Sequence, residues 1–199
     1  MNEKALEILE RATQVYMKYG VKSVTMDDLA KELSISKKTI YKYYSDKPEL
    51  VKAIIEMKVE MDQAVCSNSA QQSNNAIEEM ISISKFVIEN IGSINPTVFY
   101  DLQKFYPEAW QVIQTHKWSF VLNMITVNIE RGIKEGLYRK NLNAKIIGKQ
   151  YVVANDMITN TNIFPWPEFK FEEFFKEIMR FQLNGMVNEE GRKHLKEAI

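Results

Sequence analysis

Apolar residues in this chain recur at three- and four-residue spacings along nearly its whole length. Seven glycines and five prolines in 199 residues leave few places where such a pattern is broken. A helix buries one face at that period and a strand at a period of two. No alternating stretch competes, so the predicted fold is all-α. No period of roughly 20–50 residues repeats, which argues against a solenoid.

The N-terminal third carries the clearest punctuation. Ile8, Leu9, Ala12, Val15, Tyr16 and Tyr19 share one face of a first helix that Gly20 ends. Thr25 is placed to cap a second helix, with Asp28 three residues on. A turn is expected around Ser34, and Ser36 is placed to cap a third helix reaching about Tyr43. Asp46 caps a fourth, with Pro48 in its first turn and Glu49 completing a capping box. That helix carries Leu50, Val51, Ile54, Ile55, Lys58, Met61 and Val65 on one stripe. The polar run Cys66–Asn75 reads as a loop. Further helices are expected over Ile77–Ile91, from Pro107 to about Gly136, over about Asn143–Ile163 with Asn143 as cap, and over Phe171–Val187. Breaks fall at Gly92–Pro96 and in the segment FPWPE.

The segment Thr25–Lys47, TMDDLAKELSISKKTIYKYYSDK, is the informative one. Leu29, Leu33, Ile35, Ile40 and Tyr43 are spaced to clamp two short helices against the first, and Ala30 is small where they cross. This is the spacing of a helix-turn-helix, whose second helix enters the major groove. Charge agrees. The whole chain balances 26 Lys+Arg against 26 Asp+Glu. Between Ser34 and Lys47, however, Lys37, Lys38, Lys42 and Lys47 face only Asp46, so positive charge is focused where phosphates would lie.

The run ILERATQVYMKYGVKSVTMDDLAKELSISKKTIYKYYSDKPEL resembles the DNA-binding domain of TetR-family regulators, relatives of the tetracycline repressor. The likeness covers about the first 50 residues. It rests on the Gly20 to Thr25 spacing, the core Ser36-Lys37-Lys38-Thr39-Ile40-Tyr41 and the junction Ser45-Asp46-Lys47. Two weaker likenesses are GIKEGLYRKNLN and LNGMVNEEG. Ser34 stands where the family usually has glycine, so the turn must accept a Cβ at some strain. Lys37-Lys38 stands where a small residue is common. The resemblance implies that Thr25 caps its helix and touches phosphate, and that Ser36, Lys37, Lys38 and Thr39 face base edges or adjacent phosphates. It implies that Tyr41 and Tyr43 give hydroxyls to the DNA backbone, with Lys42 beside them, and that Lys47 pairs with a phosphate. Tyr44, where the family usually has phenylalanine, is expected in the core.

The resemblance further implies a DNA-binding domain over 1–47 and a helical effector-binding and dimerisation domain over 48–199. The second part is rich in large side chains. Phe86, Phe99, Phe105, Trp110, Trp118, Met124 and Tyr151, with His116, Asn123 and Asn155 as polar groups, are the candidate lining of an effector cavity. For any one of them an ordinary packed core is the simpler reading. The last two long helices carry apolar residues on more than one face, which suggests a four-helix interface between two copies. The leading expectation is a repressor released from a double-stranded operator by an unknown small molecule. The alternative is the same fold without an effector, answering to a protein partner.

An enzyme is disfavoured: there is no Gly-rich phosphate loop, no HExxH and no GxSxG. Two histidines and one cysteine, Cys66, offer neither a metal set nor an intramolecular disulfide, and no cofactor is expected. The acidic N-terminus does not read as a signal peptide, and no run approaches the roughly 18 apolar residues of a membrane span. A cytoplasmic protein is expected.

Overall fold

In a computed structural model of the chain, α1 (Glu3–Tyr19) buries Ala5, Ile8, Leu9, Ala12, Val15 and Tyr16 along one side. The structure describes every residue except Met1, Pro96, Thr161, Asn162, Trp166, Pro167 and Ile199; the side chains of Thr159, Lys196, Glu197 and Ala198 also lie outside the description. Gly20 ends α1 at φ +89°, a conformation that strains any side chain. A Cβ there would also lie 2.8 Å from Thr97 Oγ1.

Thr25 then opens α2 (Met26–Glu32) with both halves of a capping box: its side chain accepts from Asp28 N–H, and Asp28 accepts from Thr25 N–H. Ser34, at φ +56°, is the one described non-glycine residue with positive φ, and it forms the turn into α3 (Lys37–Tyr41). Ser36 caps α3 by accepting from Thr39 N–H. Asp46 caps α4 (Lys47–Gln72) by accepting from Glu49 N–H at 2.8 Å. The Glu49 carboxylate returns not to Asp46 but to the N–H and hydroxyl of Ser45, at 2.6 Å each.

Beyond this lie α5 (Ala76–Ile91), α6 (Thr97–Phe105) and α7 (Pro107–His116). A single π-helical turn, Lys117–Val121, leads without a break into α8 (Leu122–Lys134). Next come α9 (Ala144–Asp156), a short 3-10 turn at Met157–Thr159, α10 (Phe171–Met186) and α11 (Glu189–Ala198). Among the described residues there is no strand, only an isolated antiparallel bridge between Tyr138 and Val187. The fold is all-α.

Three elements differ from the sequence reading. Cys66–Gln72 is helix rather than loop, because Cys66 and Ser69 are buried and Ser69 Oγ meets Ser82 Oγ at 3.2 Å. Tertiary contacts there outweigh weak propensity. The helix ahead of FPWPE is shorter than expected: α9 stops at Asp156, and residues 161 and 162 of the expected span lie outside the described residues. The segment after Val187, read only as a tail, forms α11 with Leu195 buried.

The chain divides into two compact units. The first comprises residues 1–61 and 93–114. Its core joins Leu9, Ala12 and Tyr16 of α1 to Leu29 and Ala30 of α2, Ile40 of α3, Leu50 and Ile54 of α4, and Val98, Leu102 and Ala109 of α6 and α7. Residues 93–101 hold the end of α1 and its turn. Asn95 N–H donates to Met17 O at 2.8 Å, and the Asp101 carboxylate accepts from Lys22 N–H at 2.8 Å.

The second unit comprises residues 62–92 and 115–199. Ile77, Met80, Ile125, Ile129, Tyr138, Phe175 and Met179 build its core. Arg131 lies at a polar centre: it donates to Ala70 O, Ser73 O and the carboxylates of Glu79 and Glu135, which closes the carbonyls at the end of α4. The two weaker likenesses meet here. Arg139 N–H donates to Met186 O at 2.9 Å and Asn188 N–H to Leu137 O at 3.0 Å, so GLYRKNLN and LNGMVNEEG are paired.

The left-handed conformation costs an L-residue about 1–2 kcal/mol, and the unfolded freedom of glycine offsets roughly 0.5–1 of that. Ser34→Gly is therefore expected to raise stability by about 0.5–1 kcal/mol in urea unfolding. A loss of stability would mean that the Ser34 side chain compensates the strain locally.

Candidate nucleic-acid interface

The reading helix is set by packing on one side and left free on the other. Ile40 is fully buried, and Tyr44 is buried with its hydroxyl donating to Ala5 O at 2.9 Å. Tyr44 is thus a core residue that ties the end of the motif to the start of α1. Tyr43 is half-buried against the same core. Tyr41 is 40% exposed, and Lys38 and Lys42 are exposed. At the front of α3, the hydroxyls of Ser36 and Thr39 lie 2.8 Å apart. Part of their hydrogen-bonding capacity is therefore spent on the cap.

The lysines differ in what holds them. Lys37 Nζ donates to Asp27 Oδ2 at 2.9 Å, a pairing that raises its pKa above the ordinary lysine value. Lys42 Nζ lies 5.4 Å from the centroid of the Tyr43 ring. Lys47 is half-buried, and its Nζ donates to Val24 O at 2.6 Å with the Tyr16 and Tyr106 rings 5.5 and 5.8 Å away. Burial pushes its pKa down, opposed by Asp101 and Asp28. The carbonyl it grips immediately precedes Thr25. Two candidates 22 positions apart in sequence are thereby brought to one corner. Thr25 Oγ1 also donates to Asp28 Oδ2 at 2.6 Å, and this bond holds the Asp28 carboxyl below the usual carboxylate range. Val24, Tyr16, Tyr106 and Asp27 were not legible as parts of this corner, because none is near Lys47 or Lys37 in sequence.

The candidate effector residues are divided between the units. Phe99 and Trp110 are half-buried in the first, and Phe105 is exposed there. In the second, Phe86 and Met124 are half-buried, Tyr151 is buried, and Trp118 and Asn123 are exposed. His116 is half-buried, with Nδ1 at 3.3 Å from Gln63 Nε2 and its ring stacked on Phe120; burial lowers its pKa. Asn155 donates to Tyr151 O at 2.9 Å, while its Oδ1 is buried without a hydrogen-bond partner. An ion pair between Lys117 and Asp156 at 2.6 Å joins the neighbours of His116 and Asn155. Cys66, read at a loop edge, is buried in α4, and burial pushes its thiol up to about 11.

A capped pair of short helices packed on a third, with lysines along the outer edge of the second, defines a helix-turn-helix DNA-binding protein. Comparison with known proteins gives the family. Residues 8–54 match the profile of bacterial regulatory proteins of the tetR family. The chain is 25% identical over 172 residues to the uncharacterised HTH-type transcriptional regulator YvaF of Bacillus subtilis, covering 84% of this chain and 88% of that one. It is 29% identical over 153 residues to a second regulator of that organism, YhgD, covering 73% and 78%. A protein of Saccharomonospora viridis described as a transcriptional regulator, solved in complex with choline, shares the fold with a TM-score of 0.77 at 15% identity, over 95% of this chain and all of that one. The chain is a transcription regulator of the TetR family, with its DNA-binding domain at the N-terminus.

Lysines of different anchorage should respond differently to removal. On a duplex selected by the unmodified protein, Lys38→Ala is expected to lower the log–log salt slope by about 0.9 for its phosphate contact, with no change in melting temperature. Lys47→Ala is expected to lower both the slope and the melting temperature, since its ammonium also holds Val24 O. Unchanged melting in Lys47→Ala would detach Lys47 from the internal anchor.

Proposed function

We propose that this chain is a cytoplasmic, homodimeric repressor that a small molecule releases from its operator. The observation that carries the DNA-binding half is the focused charge of the reading helix: Lys38 and Lys42 stand exposed on a helix fixed from behind by Ile40 and Tyr44. In this reading Ser36, Lys37, Lys38 and Thr39 face the groove, and Thr25, Tyr41, Lys42, Tyr43 and Lys47 hold the backbone. The functional DNA-binding domain is residues 1–47, and residues 48–199 sense and dimerise. Helix α4 is the covalent path between them, and an effector acts by binding one of its positions better than another.

Dimerisation is supported by the outer faces of α9 and α10. Phe181 is 72% exposed, Ile146 62% and Val153 51%. These residues recur at helical spacing with Met157, Ile178 and Gly185, where an added Cβ would meet nothing. Such a seam is what a four-helix interface across a two-fold axis needs. Phe174, Phe175, Met179 and Leu183 belong instead to the core of their own unit. The sequence reading that Phe175→Glu or Met179→Glu would give folded monomers is therefore corrected: a charge at either site is buried and unpaired, and unfolds the unit. Gly148, expected to let two copies approach, packs against Thr126 and Leu122 of its own chain.

Phe181→Glu is expected to convert dimer to folded monomer in light scattering at micromolar concentration and to abolish most operator affinity. An unmodified protein that is monomeric under those conditions would remove the dimer.

The effector reading rests on Asn155, whose buried Oδ1 lacks a donor. An unsatisfied buried acceptor costs about 1–3 kcal/mol, and a ligand hydroxyl or N–H there recovers it. The neighbour solved with choline supports the reading, since the same fold accommodates a small organic molecule. Choline, which carries one hydroxyl donor, and a panel of small metabolites are the probes. A binder is expected to raise the melting temperature with concentration, and Asn155→Leu to erase that rise while keeping the fold. A flat response to the whole panel would favour control by a protein partner.

A further inference from the structure

Four side chains of the first unit form a basic and aromatic patch outside the helix-turn-helix. Lys22 Nζ stands 3.9 Å from the centroid of the Phe105 ring, and Lys104 Nζ stands 5.4 Å from the same ring. Lys104 Nζ also donates to Tyr100 Oη at 2.6 Å. The Tyr100 and Phe105 rings meet edge to face at 6.4 Å. Tyr100 is 51% exposed and Phe105 36%. Two ammonium groups are thus held beside one phenyl face at the surface, by cation–π attraction rather than by a counter-charge.

The missing counter-charge points to an anion. The ion pairs of this unit are Lys4–Glu7, Arg11–Glu7, Lys37–Asp27 and Lys52–Glu108, and none includes Lys22 or Lys104. Asp101, the one carboxylate of α6, is buried and turned to the backbone N–H of Lys22. It anchors the patch without neutralising its surface.

Position points to which anion. Lys22 lies three residues before Thr25. Phe105 precedes Tyr106, whose ring lies 5.8 Å from Lys47 Nζ, and that ammonium grips the carbonyl before Thr25. The patch is therefore continuous with the Thr25–Lys47 corner, where a phosphate of the operator is placed. The geometry points to a DNA contact surface that runs past the helix-turn-helix onto α6, with Lys22 and Lys104 holding backbone phosphates beyond the half-site. This rests on the DNA-binding reading above and adds α6 to it. An element outside the motif then touches DNA itself, and any effector that displaces α6 weakens operator binding directly.

Full-length protein and two duplexes test it: the selected operator trimmed to its ends, and the same operator extended by one helical turn on each side. On the extended duplex, the double variant Lys22→Ala/Lys104→Ala is expected to lower the salt slope by about 2 per protomer and to weaken binding about tenfold or more at moderate salt. Binding to the trimmed duplex and the melting temperature are expected to stay as in the unmodified protein, and Lys22→Arg/Lys104→Arg to keep the full slope. Equal slopes for variant and unmodified protein on the extended duplex overturn the proposal. So does an equal loss on both duplexes, which would reflect general charge rather than flanking contacts. If the unmodified protein binds no duplex with salt dependence, the DNA-binding reading itself fails.

Discussion

A single buried carboxylate makes the DNA-binding unit what it is. Asp101 accepts the Lys22 backbone N–H across 79 positions of sequence. A hydrogen bond to a charged group is worth about 1.5–3 kcal/mol, and this one closes a turn whose geometry decides where α2 begins. Beside it, Asn95 takes the end of α1, and Thr97 occupies the space that a side chain on Gly20 would need. The helices that face DNA therefore form one core with residues 93–114, and the placement of Thr25 depends on α6.

That dependence gives the scattered lysines a common logic. Each is held differently: Lys37 by Asp27, Lys47 by a carbonyl and two rings, Lys22 and Lys104 by a phenyl face. A held ammonium loses less side-chain freedom on meeting phosphate than a free one. Cation–π and carbonyl anchors leave the charge intact, whereas the Asp27 carboxylate competes with phosphate for Lys37. Charge neutrality of the whole chain is no obstacle to binding DNA when the positive groups are sorted in this way.

In the second unit the division is between apolar residues that the protomer buries and those it leaves out. Phe175 and Met179 are inward, Phe181 outward, within one turn or two of the same helix. Breadth of apolar patterning announces a second surface but does not say which residues belong to it. Polar anchoring is concentrated at Arg131, whose guanidinium serves the carbonyls of α4 and the carboxylates of Glu79 and Glu135. Removing it would leave Glu79 buried and unpaired.

What the sequence by itself determined is what depends on neighbours in the chain. The caps at Thr25, Ser36 and Asn143, the stop at Gly20, the strained turn at Ser34 and the core position of Tyr44 were all legible, because capping and backbone strain act over three or four residues. The motif, its family and the all-α class followed from them. What only the tertiary structure decided is what depends on residues far apart. The helix through Cys66–Gln72 survives its polar composition because it is buried against α5. The corner at Lys47 needs Val24 and Tyr106, and the patch at Phe105 needs Lys22. Local sequence carries no record of which distant side chain will fill a given space. Long-range burial and hydrogen bonding make that choice, and they exist only once the chain has folded.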